Sequence, residues 1–157
     1  MRINEKIKAR RELLELTDTD VVEKTNISID EYYDIEAYPD EVFTVTYLSE
    51  LKQLFIVLDF DLFELFKLPP FFPFRKEERN LEFAHKLPRH RLIKKRREEL
   101  KLSEEELGSI IGFYPKAITE MEQDENFLES WTLELIIKLA KALKLPLDSL
   151  VAWNPSE

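Results

Sequence analysis

Leu100-Lys101-Leu102-Ser103-Glu104-Glu105-Glu106-Leu107-Gly108-Ser109-Ile110-Ile111-Gly112-Phe113-Tyr114-Pro115-Lys116-Ala117-Ile118-Thr119-Glu120-Met121-Glu122 decides the fold. Ser103 followed by Glu106 is a capping box: each side chain reaches back to an otherwise orphaned amide of the other residue. A helix therefore starts there. Leu107, Ile110 and Ile111 give it an apolar stripe. Gly112 ends it, because glycine takes the left-handed conformation without a Cβ penalty. Pro115 suits the first turn of a second helix, whose amides have no intrahelical partner anyway. Ile118 and Met121 turn that helix's apolar side toward the first. Two short helices joined by a glycine turn make a helix-turn-helix.

Working outward, Leu102-Ser103-x-Glu105-Glu106-Leu107, Gly112, Ile118-x-x-x-Glu122 and the apolar run Leu133–Leu150 resemble the Cro-type, lambda-repressor-like (XRE) helix-turn-helix family. The resemblance covers Arg91 to about Leu150. It implies a five-helix DNA-binding domain of bacteria and their phages, used in transcriptional regulation. It speaks for the fold more than for the function.

The N-terminal half repeats the same unit. Ile7-Lys8-Ala9-Arg10-Arg11-Glu12-Leu13-Leu14-Glu15-Leu16-Thr17 aligns with Ile93-Lys94-Lys95-Arg96-Arg97-Glu98-Glu99-Leu100-Lys101-Leu102-Ser103 at an offset of 86, and Glu36 falls on Glu122. One extra residue in the first copy then shifts the offset to 85, placing Leu48, Leu54, Leu58, Leu62 and Leu65 on Leu133, Leu139, Leu143, Leu147 and Leu150. Asn26 stands at the Gly112 position, and Asn is the next-best residue for a left-handed turn. The expected fold is all-α: two tandem five-helix lambda-repressor-like helix-turn-helix domains, residues 1–66 and 89–157, joined by a linker at 67–88.

Expected helices in copy one are Asn4–Leu14, Asp18–Lys24, Ile29–Ile35, Tyr47–Leu58 and Leu62–Leu65. Thr17 with Asp20, Ser28 with Glu31 and Asp61 with Glu64 supply their caps. Copy two should carry Arg89–Leu100, Glu104–Ile111, Pro115–Gln123, Leu133–Leu143 and Leu147–Leu150. Leu133, Ile136, Ile137, Ala140 and Leu143 form the buried stripe of its fourth helix. In the linker, Leu68-Pro69-Pro70-Phe71-Phe72-Pro73-Phe74 is barred from helix by its prolines. Phe71, Phe72 and Phe74 are too apolar for a plain spacer and should dock on the domains or on a partner. Glu77–Lys86 suits a short helix.

Composition bounds the chemistry. The 157 residues contain no cysteine, which excludes disulfides and thiolate metal sites, and only two glycines, which leaves no phosphate-cradling loop. His85 and His90 are the only histidines, without metal-ligand spacing. The expectation is a non-enzymatic protein without metal or cofactor. No apolar run approaches the roughly 18 residues of a membrane span, and no signal-peptide core is present. A cytoplasmic protein that touches no membrane is therefore expected.

The net charge is −9, distributed as −9 over residues 1–66, +2 over 67–88 and −2 over 89–157. Thr17–Val42 carries nine acids against Lys24, and Ser103–Glu129 carries eight against Lys116. The family resemblance implies an internal ion pair for Arg11 with Glu36 and for Arg97 with Glu122. It also places Glu104, Pro115, Lys116 and Glu120 of copy two at DNA-reading positions, and Asp18, Ile29, Asp30 and Asp34 of copy one. Carboxylates accept only from cytosine N4 and repel phosphate, so copy one is ill suited to reading DNA.

Two functions follow. The first and leading one is a transcriptional regulator that binds duplex DNA through copy two, with Tyr114, Lys116, Thr119, Arg89, Arg91, Lys94 and Lys95 as candidate contacts. Copy one would then orient, dimerise or receive a signal. The rival is an interaction module that keeps the fold, has lost DNA reading, and presents acidic faces to a basic protein; a DNA mimic is one version. Partner expectations are thus duplex DNA, a basic protein, or a second copy of this chain.

Overall fold

The computed structural model describes residues 2–65 and 87–153, whose regular elements are all helical, with no strand among them. They divide into two compact units, residues 2–65 with Trp153 and residues 87–152. Residues 67–86, with Phe71, Phe72, Phe74 and the helix expected at Glu77–Lys86, lie outside the described residues.

The first unit runs α1 (Ile3–Leu13), α2 (Asp18–Glu23), α3 (Ile29–Ala37), α4 (Glu41–Thr44), α5 (Leu48–Val57) and α6 (Leu62–Leu65). Polar side chains start three of these where expected. Thr17 and Asp20 form a reciprocal box, the Ser28 hydroxyl accepts from the Glu31 amide at 3.2 Å, and Asp61 accepts from the Phe63 amide at 3.0 Å. Val21, Ile27, Tyr32, Ile35, Leu48, Leu51, Leu54, Phe55 and Leu58 form the core.

The second unit runs α7 (Arg89–Glu99), α8 (Glu104–Ile111), α9 (Pro115–Gln123), a 3₁₀ turn (Phe127–Ser130), α10 (Leu133–Leu143) and α11 (Asp148–Val151). Its Ser103–Glu106 box is formed, and Gly112 takes the left-handed conformation at φ 84°. Leu92, Ile93, Leu107, Ile118, Met121, Leu133, Ile136, Leu139 and Leu143 are buried. Phe113, in the turn, stacks on Trp131 with ring centroids 4.6 Å apart.

Internal features recur between the units in the register read from the sequence. Glu15 and Lys101 both have φ 57° at the end of the first helix, and Asp59 and Lys144 both reverse the chain after the long fourth helix. The shift from offset 86 to 85 falls between Thr44 and Leu48, where Val45 and Thr46 stand against Trp131 alone.

Four details differ from the sequence reading. Each unit has a short extra element before its long fourth helix, Glu41–Thr44 and Phe127–Ser130; four residues are too few to show a helical period. Asn26 does not take the left-handed conformation. A Cβ on Gly108 would lie 2.5 Å from the Phe113 carbonyl oxygen, and the first unit has Val22 there, so it cannot close the same tight turn. Instead α2 stops at Glu23, the Thr25 hydroxyl donates to the Val21 carbonyl at 3.1 Å, and the Gln53 side chain accepts from the Asn26 amide at 3.0 Å. Ile110 is 58% exposed, because α8 buries Leu107, Gly108 and Ile111 instead. Ile137 is only half-buried, with Leu139 completing the α10 core row.

Candidate functional site

The two internal ion pairs anchor the third helices. Arg97 donates from Nε and Nη2 to the Glu122 carboxylate at 3.0 and 2.8 Å, and from Nη1 to the Leu102 carbonyl at 2.9 Å. Arg11 repeats this with Glu36, its Nη2 donating at 3.2 Å, and with the Leu16 carbonyl at 2.9 Å. The first unit adds the Tyr32 hydroxyl, which donates to Glu36 at 2.7 Å. Both guanidinium pKa values rise above the ordinary arginine value, chiefly through the hydrogen bonds to their glutamates and against the opposing effect of burial. Each pair ties the end of the first helix to the third helix, which fixes the direction in which the third helix's outer face points.

The carboxylate that opens each second helix turns toward the same arginine. Asp18 lies 3.2 Å from Arg11 Nε, and Glu104 lies 3.9 Å from Arg97 Nη2. Glu104 also accepts the Thr119 hydroxyl proton, while Thr119 lies 3.2 Å from the Pro115 carbonyl. Thr119 is thus engaged inside the unit.

The candidate phosphate contacts separate into two groups. Arg89 is buried and serves as an internal staple. It donates to the Glu125, Leu150 and Val151 carbonyls at 2.7, 3.2 and 3.3 Å and to the Glu129 carboxylate at 2.8 Å, so it cannot reach a phosphate. Arg96 donates to the Leu143 carbonyl at 2.9 Å, closing the C-terminus of α10; Arg10 does the same for Leu58 at 2.8 Å. Arg91, Lys94 and Lys95 are exposed on α7, and Lys116 is exposed on α9. Tyr114, the residue before α9, is 84% exposed.

The outer face of the third helix differs between the units. On α9 it carries Lys116, Glu120 and Gln123, all exposed. On α3 it carries Asp30, Tyr33, Asp34 and Ala37, exposed at spacings of three and four residues and therefore on one side of the helix. Behind this face the acids crowd. Burial and the neighbouring Glu50 and Glu41 push the Glu31 carboxyl up to about 7, opposed weakly by a hydrogen bond with Thr46. Burial and Asp34 raise Glu41 as well.

Sequence reasoning missed the Arg89 staple, the carbonyl-capping Arg10 and Arg96, and the aromatic residues on α3. The recurrence of Arg10 at Arg96 was a usable signal for the caps. Among the described residues no group of acids and histidines is arranged to hold a metal ion, and no helix is long and apolar enough to cross a membrane. No protein-family model, curated protein or solved structure matches the chain.

Proposed function

We propose that the chain consists of two lambda-repressor-like helix-turn-helix units that keep the fold but dock a basic protein instead of reading DNA, with no catalytic role. The matched internal arginine pairs, caps and element registers support the tandem reading. One observation carries the functional reading: where the resembled family contacts DNA, these side chains are acidic, apolar or engaged internally, with Lys116 the exception. On α3 the exposed residues Asp30 and Asp34 would face phosphate, and on α9 Glu120 would. Duplex affinity rests on neutralising several phosphates, each releasing a counterion, and these faces repel them. The same charges attract a basic protein surface and speed its encounter.

A second reading has its own support. Arg91, Lys94, Lys95 and Lys116 are exposed in the second unit, and Glu104 is drawn toward Arg97 and Thr119. That unit could hold duplex DNA weakly, as a regulator whose first unit is a partner domain. The two readings separate on titration of the full chain against a random duplex pool and against a basic polypeptide at about 50 and 150 mM salt, concentrations over which phosphate contacts weaken steeply. Docking predicts that the polypeptide binds and no duplex is retained at the higher salt. A retained duplex would overturn it.

A further inference from the structure

Tyr32 of α3 is core, but two exposed tyrosines, Tyr33 on the helix and Tyr38 at its C-terminal cap, are not required by the fold. Tyr33 is 52% exposed and Tyr38, which caps the helix, is 59% exposed. In the second unit the same two places hold Thr119 and Asp124, and Lys116 stands where the first unit has Asp30. The same element with the same ion pair therefore accommodates polar residues there. The hydroxyl of an exposed tyrosine is satisfied by water but its ring is not, and two such rings on and at the end of one short helix, flanked by carboxylates, offer both stacking and accepting groups.

We propose that this face of α3 docks an arginine-bearing segment of a basic protein, with Asp30 and Asp34 accepting guanidinium hydrogen bonds and Tyr33 and Tyr38 stacking on the guanidinium planes. The proposal rests on the protein-docking reading above and names its surface and the partner's chemistry. Charge complementarity selects the occupant: from Thr17 to Val42 the chain has nine acids and only Lys24. Behind the face, Glu41 and Glu50 add negative charge, and the crowding that raises Glu31 is relieved when a cation approaches. Arginine fits better than lysine for two reasons. Its planar fork matches a carboxylate in two places, and its weakly hydrated face stacks on an aromatic ring, whereas an ammonium stays hydrated. Nucleic acid is disfavoured because its phosphates meet Asp30 and Asp34 directly.

The test uses the full chain and two labelled probes, nona-arginine and nona-lysine, followed by fluorescence anisotropy at about 150 mM salt, where surface charge alone is strongly screened. The wild type should favour nona-arginine. Tyr33→Ser/Tyr38→Ser leaves every charge in place and should weaken nona-arginine binding about five- to twentyfold while erasing the preference. Asp30→Asn/Asp34→Asn should weaken both probes about five- to tenfold. A control pair on other exposed carboxylates, Glu12→Gln/Glu105→Gln, should change binding less than about twofold. All variants should melt within about 2 °C of the wild type, since the changed side chains are exposed. If the arginine preference survives the serine pair, or the control pair costs as much as the α3 aspartates, this surface is wrong while docking of a basic protein elsewhere stands. If the wild type binds neither probe, the docking reading fails and this proposal with it. A dimer of the chain alone that dissociates on Asp30→Asn/Asp34→Asn would replace the basic protein with a second copy and overturn the assignment.

Discussion

Replacing Glu122 with leucine should unfold the second unit more readily than any surface change, and the structure sets the size of the effect. The Arg97 and Glu122 side chains are 11% and 4% exposed and joined by three hydrogen bonds of 3.3, 3.0 and 2.8 Å. Glu122→Leu leaves a buried guanidinium without its carboxylate, a loss of about 3–5 kcal/mol for a buried pair. Arg97 keeps the Leu102 carbonyl at 2.9 Å and has Glu104 at 3.9 Å, which places the expected cost near the lower end, about 3 kcal/mol. For a unit of this size that lowers the thermal midpoint by roughly 15 °C. Arg97→Met/Glu122→Leu removes both charges together and should recover to within about 1 kcal/mol of the wild type. Urea unfolding followed by far-UV circular dichroism measures all three. A single mutant that costs less than about 1 kcal/mol, or a double mutant as unstable as the single, would refute the reasoning.

Gly108→Ala should destabilise the second unit by about 2 kcal/mol or more, because the new methyl meets backbone rather than a yielding side chain. Gly112→Ala meets open space and should cost only about 1 kcal/mol, the left-handed penalty; thermal melts rank the two. Glu31→Gln should flatten the pH profile of stability. A carboxyl whose folded pKa is raised to about 7 contributes its full stability below its ordinary value of 4.5 and loses it as pH rises through 7. The variant should therefore gain about 1 kcal/mol at pH 8, after discounting for solvent screening, and almost nothing at pH 4; equal gains at both would contradict this. Arg89→Met should lower the melting temperature of the second unit by several degrees, because Arg89 holds the Glu125, Leu150 and Val151 carbonyls; an unchanged melt would contradict the staple.

What the sequence disclosed follows the range over which each interaction acts. The bounds of α8, α9 and α10 follow from Ser103 with Glu106, Gly112, Pro115 and the apolar spacing of Leu133–Leu143, all signals carried within a few residues. The 86-residue register located α1, α3 and the Arg11–Glu36 pair in the first unit, although its turn had lost the glycine. Arg89 was not legible, because its carbonyl acceptors lie 36, 61 and 62 residues away and a basic run gives no sign of which arginine is folded inward. Asn26 was misread because its turn depends on Val22 in place of Gly108 and on the Gln53 side chain, neither of which is a turn signal. The α3 face was partly readable. Its acids were visible in the composition, whereas the exposure of Tyr33 and Tyr38 depends on which side of the helix the Arg11–Glu36 pair turns inward.

The claim that the fold has exchanged DNA reading for protein docking is tested most directly by selecting from a random duplex pool with the full chain at about 50 and 150 mM salt, where phosphate contacts dominate retention. Docking in place of DNA reading predicts no sequence enriched at the higher salt, and none gained by Glu120→Gln. Enrichment of one sequence, lost on Lys116→Ala and falling with salt at a logarithmic slope of about −3 to −4, would contradict it and establish the second unit as a DNA reader.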